Sequence, residues 1–438
     1  MGEVRSETPG AEITGFGRFW KTFGPGLLWA AAAIGVSHLV QSTRAGGVGG
    51  FSLVWIVLLA LAIKYPFFEY GPRYAAATGE SLVEGYYRLG RWAVWVYLLI
   101  TLSTAVVIQS AVVLFTSFLF AHVLGVDWSM AVMGGVVIGG CGLLLWIGRF
   151  RALDWTIKLV LLVLALCTLV AAAATLPRVP EAELTPWPLA DGSEVITFAF
   201  ILALAGWMPS ALDISVWSSL WTLAKDRASG IRASVSEALL DFRIGYVGTG
   251  LIALAFLTLG ATVMHASGES FSPEGAAFSL QLVDLYADTL GGWSRPVILA
   301  AVVTTMFSTS LTVVDAFPRA IARSVRTLLE GVNEDPRAQR DPKVEQEIRG
   351  YWITMAVLAV LTVLVFTYFV GNLTTMVDFA TIVSFLTAPI LGYLNLQVIT
   401  SRHIEDRFKP GSALRTFSWL GLVLMSVVAL VFIGTLVL

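Results

Sequence analysis

The sequence predicts an all-α integral membrane protein with eleven transmembrane helices, and two observations support this prediction. Of the 438 residues, 57% are hydrophobic and only 13% are charged, whereas about 25% are charged in a typical soluble protein. The apolar residues form continuous runs of roughly 18 to 25 residues, the length that crosses about 30 Å of hydrocarbon as a helix. Such runs are too long and too uniformly apolar for the strands of a membrane β-barrel.

Each predicted span begins and ends where an apolar run does, and only short polar connections separate most of them. In chain order the spans are 24–46, 51–73, 93–122, 129–148, 154–175, 195–224, 242–264, 294–318, 351–371, 373–398 and 414–436.

The charges of the connections predict the orientation in the membrane. Alternate connections carry most of the basic residues, among them Arg73, Arg88, Arg149, Lys225, Arg319, Arg323, Arg402 and Lys409. The other connections are poor in Lys and Arg and contain acidic residues such as Asp127, Glu181, Glu194 and Asp288. The positive-inside rule therefore predicts a cytoplasmic N-terminus and an extracytoplasmic C-terminus, in a multi-pass protein of the plasma (inner) membrane.

Several other classes of function find no support in the sequence. It contains no nucleotide-binding loop, no nucleic-acid-binding motif and no catalytic triad, so we expect neither an enzyme nor a partner of nucleic acid. The two cysteines, Cys141 and Cys167, lie inside apolar runs and are interpreted as packing residues. Residues 1–19 are polar and rich in glycine, so no cleavable signal peptide is expected.

The first span is interrupted near its middle. An apolar half rich in alanine gives way at Gly35 to a polar cluster that continues through Ser37, His38, Gln41 and Arg44. Glycine is a weak point in a helix, and polar groups inside a membrane span are costly. We expect the helix to break at Gly35.

The sixth span is interrupted in the same way. The apolar stretch 198–204 is followed by Gly206 and Pro209, and then by Ser210 and Asp213. Proline lacks a backbone N–H and clashes with the preceding turn, so a break is expected here as well. Two interrupted spans five apart indicate the binding site of an inverted-repeat transporter. Two ordinary kinked helices are the alternative.

At these residues the sequence resembles the Nramp family of divalent metal transporters. The resemblance is sharpest at three places: Gly24 to Gly26, Arg44 to Trp55, and the Met208-Pro209 pair. It implies the LeuT-type fold, with a 5+5 inverted repeat in which helices 1 and 6 are broken. The whole chain (1–438) is then one transporter domain, with repeats over about 24–175 and 195–398 and an extra helix at 414–436.

The chain departs from the family where the family binds its metal. The first-span motif Asp-Pro-Gly-Asn aligns with Gly35 to His38, and the sixth-span motif Met-Pro-His-Asn aligns with Met208 to Ala211. The metal-binding Asp is thus replaced by Gly35 and the Asn by His38, and only the thioether of Met208 is kept. The family's acidic residue in span three has no counterpart either. Hard and borderline divalent ions favour at least one carboxylate.

Loss of the carboxylate, together with two helix N-termini and added polar donors, turns a cation site into a site suited to a small anion. Bicarbonate is the specific expectation, and nitrate and formate fit the same pattern. The predicted substrate-binding residues are Gly35, Ser37, His38, Met208, Ser210 and Ala211. Gln41 and Arg44 are predicted to line an outer vestibule, because they share a helix face with Ser37.

Further polar residues in the spans leave two readings open. Asp213 either binds a coupling Na⁺ or proton or pairs with a neighbouring donor. Span eight contains Thr305, Ser308 and Thr309, which either resemble the hydroxyl supply of a LeuT-type Na⁺ site or serve helix packing. In span two, Lys64 and Glu69 are interpreted as snorkelling residues or as a structural ion pair with each other.

The sequence therefore predicts a secondary-active transporter of a small anion, most simply bicarbonate, that works by alternating access with Na⁺ as the candidate coupling ion. The expected partners are the inorganic anion and the lipid bilayer. The chain is expected to be a monomer without resident cofactor or metal. The alternatives are a divalent-metal transporter (Mn²⁺, Fe²⁺ or Mg²⁺) with a modified site and a membrane receptor or scaffold that keeps the fold without transport.

Overall fold

The computed structural model describes residues 22–147, 150–178, 196–268, 271–332, 344–369 and 372–437, and within these ranges the regular structure is helical. The helices, in chain order, are α1 (Pro25–Ala33), α2 (Thr43–Gly49), α3 (Val54–Thr78), α4 (Leu82–Leu89), α5 (Arg91–Leu124), α6 (Met130–Ile147), α7 (Phe150–Thr175), α8 (Phe198–Gly206), α9 (Ile214–Ser229), α10 (Val235–Leu259), α11 (Gly275–Leu290), α12 (Ser294–Glu330), α13 (Val344–Phe369), α14 (Leu373–Thr400) and α15 (Ser412–Val437).

Eight of the helical segments in these ranges are long and apolar enough to cross a membrane on their own. They correspond to the predicted spans two, three, four, seven, eight, nine, ten and eleven. Spans one and six are not among the eight because each is divided into two shorter helices, α1 with α2 and α8 with α9. Span five corresponds to α7. The all-α membrane architecture predicted from the sequence is confirmed.

Both predicted interruptions are present. The first helix of span one, α1, ends at Ala33, and a π-helical turn over Ser37–Ser42 joins the break to α2. In span six, α8 ends at Gly206, and α9 starts only at Ile214, beyond a cis Met208–Pro209 peptide. These are true chain breaks, so the alternative of ordinary kinked helices is wrong.

The N-terminus of α1 is held by a carboxylate from α10. Asp241 accepts hydrogen bonds from the backbone N–H groups of Gly26 (2.7 Å) and Gly24 (3.3 Å). A negative group at the first turn of a helix satisfies unpaired N–H groups and favours the helix dipole. The adjacent Trp29 is fully buried against Phe68, Phe242 and Tyr246. Together these contacts fix where α1 ends, and therefore where span one breaks.

The outer half of span one packs directly on the backbone of span seven, which contains a second π-helical turn at Gly260–His265. A Cβ atom placed on Gly46 would lie 1.9 Å from the Leu257 carbonyl oxygen, and one on Gly260 would lie 2.0 Å from the Thr43 carbonyl oxygen. Only glycine permits this approach from either side.

Burial separates central from peripheral spans. Within their most apolar windows, 72% of α5 and 67% of α12 is buried inside the protein, against 28% of α6 and 22% of α13. The peripheral helices present leucine, valine and isoleucine outward, as a lipid-facing surface does. The centre of the molecule is therefore built from α5, α12 and the two interrupted spans.

Candidate functional site

A cavity lies between the two breaks and the central helices α5 and α12. It encloses about 390 Å³, counting the space at its mouth. Thirteen residues line it: Ala32, Ala33, Val36, Ser37, Ile108, Val112, Trp207, Ser210, Ala211, Ile214, Trp217, Thr309 and Val313. Apart from serine, threonine and tryptophan, every lining side chain is apolar, and none carries a formal charge.

The structure brings three of the six predicted substrate-binding residues to this cavity, namely Ser37, Ser210 and Ala211. Gly35 belongs to the break itself, where a Cβ atom would lie 2.7 Å from the Cγ2 atom of Thr309. Glycine therefore lets span eight pack against the broken end of α1. Met208 is fully buried in an apolar cluster, and its sulfur atom lies 4.0 Å from the Ser42 hydroxyl.

His38 is directed away from the cavity, contrary to the sequence-based expectation. Its Nδ1 atom lies 2.7 Å from the Ser37 hydroxyl, and its Nε2 atom lies 3.1 Å from the carbonyl oxygen of Thr249 in span seven. The side chain is fully buried. His38 thus links the break to α10 rather than contributing a donor to the lining.

Lys64 is a functional candidate that the sequence interpretation missed. Its side chain is fully buried, and its Nζ atom donates to the carbonyl oxygens of Ala205 (2.6 Å), Gly206 (2.7 Å) and Ser210 (3.4 Å). These carbonyls belong to the C-terminal end of α8 and to the break that follows it. The ammonium group therefore sits at the negative end of a half-helix, in contact with the backbone of a cavity-lining residue.

The predicted pairing of Lys64 with Glu69 is wrong. Glu69 accepts from Arg73 (2.5 Å) and from the Tyr65 hydroxyl, and Arg243 lies 3.5 Å away. Among the carboxylates in the described part of the chain, none forms an ion pair with Lys64. The general expectation that an ionisable residue inside a membrane span has a function was the signal that could have identified it.

The cavity wall also contains hydrogen-bond donors. The indole N–H of Trp217 is buried and finds no acceptor among the described residues, although its ring packs against Phe317. In the break, the backbone N–H groups of Ser210 and Ala211 make no hydrogen bond within those residues. Trp217 was not identified from the sequence, because tryptophan in a membrane span is usually a packing or interface residue.

The two residues predicted for an outer vestibule connect span one to span ten. Arg44 forms a bidentate ion pair with Asp378, with distances of 2.7 and 3.1 Å. Gln41 donates to the same carboxylate (2.9 Å) and to the Thr381 hydroxyl (3.3 Å). The Arg44 guanidinium also lies over the ring of Phe200, in α8. The pair thus joins the outer part of span one to α14 and α8.

The span-eight hydroxyls lie beside the break of span one. The Thr309 hydroxyl is 3.4 Å from the carbonyl oxygens of both Ala31 and Ile34, and it donates to the Thr305 carbonyl (3.0 Å). Thr305 and Ser308 are buried close by. Carbonyl and hydroxyl oxygens are the ligands that a hard cation prefers.

Asp213 is the one carboxylate near the cavity whose neighbours in the described ranges include no cation. It precedes α9 and is fully buried, and neither carboxylate oxygen has a hydrogen-bond partner there. It does not line the cavity itself, but Ala211 and Ile214 beside it do.

Within the described residues, no group of three or more His, Cys, Asp or Glu side chains is placed to hold a metal ion. This agrees with the neutral lining of the cavity.

Comparisons with known proteins give the family. A family model for Nramp, "Natural resistance-associated macrophage protein-like", matches residues 26–435. An uncharacterized protein of Pasteurella multocida is 35% identical over 419 residues, which cover 94% of this chain and 91% of that protein. A divalent metal cation transporter, MntH, of Chromohalobacter salexigens is 26% identical over 256 residues, covering 56% of this chain and 58% of its own.

Among solved structures, the manganese transporter of Eremococcus coleocola superposes with a TM-score of 0.72 at 14% sequence identity. The match covers 98% of this chain and 89% of that chain. Similarity at this level of identity concerns the fold. The LeuT-type architecture expected from the two interrupted spans is thereby confirmed.

Proposed function

The chain belongs to the Nramp family of multi-pass membrane transporters, and from this premise we propose that it carries a small anion, bicarbonate being the expected substrate. The observation on which the proposal rests is the position of Lys64. A fully buried ammonium group occupies the carbonyl-lined end of α8, with no carboxylate among the described residues to neutralise it. The chain itself supplies a positive charge beside the cavity.

Electrostatics favours an anion over a dication in such a cavity. At an effective dielectric constant of about 20, a dication about 6 Å from an ammonium is repelled by about 5 kcal/mol, whereas a monovalent anion is attracted by about 3 kcal/mol. The cavity lining offers a dication no carboxylate with which to offset that repulsion. The dication would also compete with Lys64 for the carbonyl oxygens of Ala205 and Gly206.

The donors around the cavity support the same substrate class. The indole N–H of Trp217, the hydroxyl of Ser210 and the backbone N–H groups of Ser210 and Ala211 are donors that an oxyanion accepts from. Bicarbonate is small and planar, and its own O–H can donate to a hydroxyl or carbonyl oxygen. This fits a wall that mixes donors with the acceptor oxygens of Ser37 and Thr309.

Transport of a divalent metal cation is the second candidate. It is favoured by the printed names of relatives that transport such cations, and by Met208, whose thioether occupies the position of the family's sulfur ligand. A metal transporter would need its ligands from elsewhere, because the sulfur of Met208 lies in an apolar cluster and is not part of the cavity lining.

We further propose that transport is coupled to Na⁺ at the span-eight hydroxyls. Thr309 lies between two carbonyl oxygens of the broken α1, and Thr305 and Ser308 are next to it. A cation there would join span eight to the moving half of span one, and so link its own binding to the state of the transporter.

Proteoliposomes test the substrate. Uptake of bicarbonate raises the internal pH, whereas diffusion of CO₂ through the lipid lowers it, so an internal pH dye separates the two routes. We expect alkalinisation in liposomes that contain the protein and acidification in empty ones. Ser210→Ala should slow the alkalinisation several-fold, and Ser426→Ala, which removes a hydroxyl from the distant α15, should not.

The same vesicles, loaded with a metal-sensitive dye, test the second candidate with Mn²⁺ and Mg²⁺. Quenching by either ion without alkalinisation by bicarbonate would replace the anion proposal by metal transport. Silence in both assays, from protein that is monodisperse and correctly inserted, would favour a receptor or scaffold.

A further inference from the structure

The second feature that the mechanism above leaves unused is the buried carboxylate of Asp213. A fully buried, ionised carboxylate without a partner costs several kcal/mol, so such a group is either neutralised by a proton or paired with a cation. Neither oxygen of Asp213 has a hydrogen-bond partner among the residues that the structure describes, and no arginine, lysine or histidine of those ranges forms an ion pair with it.

The neighbours of Asp213 come from one face of α5. Tyr97, Thr101 and Thr104 are spaced i, i+4 and i+7, so they follow one another along that face. Thr104 lies beside the carboxyl group, Tyr97 interacts with it electrostatically, and Thr101 is next to the Tyr97 hydroxyl. All three side chains are fully buried.

Two of these hydroxyl groups are unsatisfied together with the carboxylate. The Tyr97 hydroxyl and the Thr101 hydroxyl make no hydrogen bond within the described part of the chain. The Thr104 hydroxyl directs its hydrogen to the Ile100 carbonyl (3.0 Å), which leaves the lone pairs of its oxygen available. Buried polar atoms are almost always paired, so several unpaired oxygens in one place need a common explanation.

A bound proton explains less than a bound cation. Protonation would give Asp213 one donor and could satisfy one further oxygen, leaving the others unpaired. A hard monovalent cation accepts several oxygen ligands at once, and carboxylate plus hydroxyl oxygens are the set that such ions prefer. It would also neutralise the buried charge.

We propose that Asp213, with the hydroxyl oxygens of Tyr97, Thr101 and Thr104, forms a Na⁺ site between α9 and α5, adjacent to the central cavity and distinct from the span-eight hydroxyls. Ile108, one turn beyond Thr104, and Ile214, beside Asp213, both line the cavity. The site therefore shares its two walls with the cavity, and its occupancy affects how α5 and α9 pack around the substrate.

Binding and stability of the purified full-length protein test this site without any anion substrate, so the outcome does not depend on the proposed transport function. Equilibrium binding of radioactive Na⁺ is measured at constant ionic strength, with K⁺ and N-methylglucamine as competitors. Wild-type protein should bind Na⁺ saturably. Asp213→Asn should remove one bound Na⁺ per chain, and Thr101→Val and Thr104→Val should weaken binding by roughly tenfold, equivalent to about 1.4 kcal/mol.

Thermal unfolding gives an independent readout with an unusual sign. In N-methylglucamine, Asp213→Asn should be at least as stable as wild type, because the variant carries no uncompensated buried charge. Added Na⁺ should raise the melting temperature of the wild type and leave that of Asp213→Asn unchanged. This comparison also shows that the variant folds.

Thr309→Val is the matched control, because it removes a buried hydroxyl at the other candidate cation site. It should leave the Asp213-dependent Na⁺ binding intact. The inference is overturned if wild-type protein binds no Na⁺ saturably, or if Asp213→Asn binds as much Na⁺ as wild type and is stabilised by it equally.

Discussion

At the scale of single residues, Lys64 determines the electrostatics of the site. A lysine has three N–H donors, and in this structure all three find backbone carbonyl oxygens, two of them at the end of α8. A half-helix end of this kind is where a cation is expected in an interrupted span. Here a tethered ammonium occupies it, which makes the position unfavourable for a second cation and favourable for an anion nearby.

Lys64→Met should reduce bicarbonate-dependent alkalinisation at least tenfold, because it removes the charge and leaves the carbonyl oxygens of α8 without a donor. Lys64→Arg keeps the charge and should retain part of the activity. Lys409→Met, which removes a lysine from an exposed connection, is the control. Initial rates in proteoliposomes at matched protein content measure the effect. If Lys64→Met instead raised Mn²⁺ uptake above that of the wild type while bicarbonate remained inert, the second candidate would be favoured.

Trp217 carries a prediction of a different kind, because it concerns one hydrogen bond and not a charge. Trp217→Phe keeps a ring against Phe317 and deletes the indole N–H in the cavity wall. We expect the bicarbonate concentration for half-maximal transport to rise several-fold, with the maximal rate less affected, since a donor to a charged acceptor contributes about 1.5–3 kcal/mol.

Trp29→Phe is the matched control for that experiment. Trp29 also has a buried indole N–H without an acceptor in the described ranges, but it lies in the aromatic cluster beside α1 and not in the cavity lining. Equal losses in both variants would show that tryptophan packing, rather than a substrate contact, explains the effect.

At the scale of the elements, the sequence predicted where spans one and six break, because glycine and proline act locally on the helix. It did not predict which side chains face the cavity. The π-helical turn Ser37–Ser42 inserts one residue more per turn than an α-helix, so α-helical spacing misplaced His38. Lys64 and Trp217 were missed for another reason: their positions depend on how spans two and six pack, which no local pattern encodes.

The contact between span one and span ten is the element-scale device most accessible to test. Arg44, Asp378 and Gln41 join the outer half of span one to α14, which also packs on α8. An alternating-access cycle must separate such contacts when the site opens on that side. We interpret the Arg44–Asp378 pair as part of the gate.

Asp378→Asn should open this gate more often. A cysteine at Ser37, introduced after Cys141 and Cys167 are replaced by serine, should then react several-fold faster with a membrane-impermeant thiosulfonate reagent. Glu330→Gln breaks a surface ion pair with Arg326 and should leave the rate unchanged. An unaltered reaction rate in Asp378→Asn would mean that the pair holds the helices together without controlling access.

At the scale of the whole molecule, charge is distributed by side. Ion pairs cluster around the short helix α4, where Glu80 binds Arg88 and Glu84 binds Arg323. Because a basic residue is costly to move across the membrane, a face rich in Lys and Arg is expected to remain cytoplasmic. The fold does not determine this by itself, since the same helices could be inserted in either direction.

Labelling of single cysteines in intact cells measures the orientation. In the background without native cysteines, Ser267→Cys should react with an impermeant maleimide, because the loop after α10 is poor in Lys and Arg and its residues are exposed. Ala228→Cys, at the exposed end of α9 beside Lys225 and Arg227, should react only after the cells are permeabilised. The reverse pattern would place Arg44 and Asp378 on the cytoplasmic side, so that the gate tested by Asp378→Asn would control release into the cell instead of entry from outside.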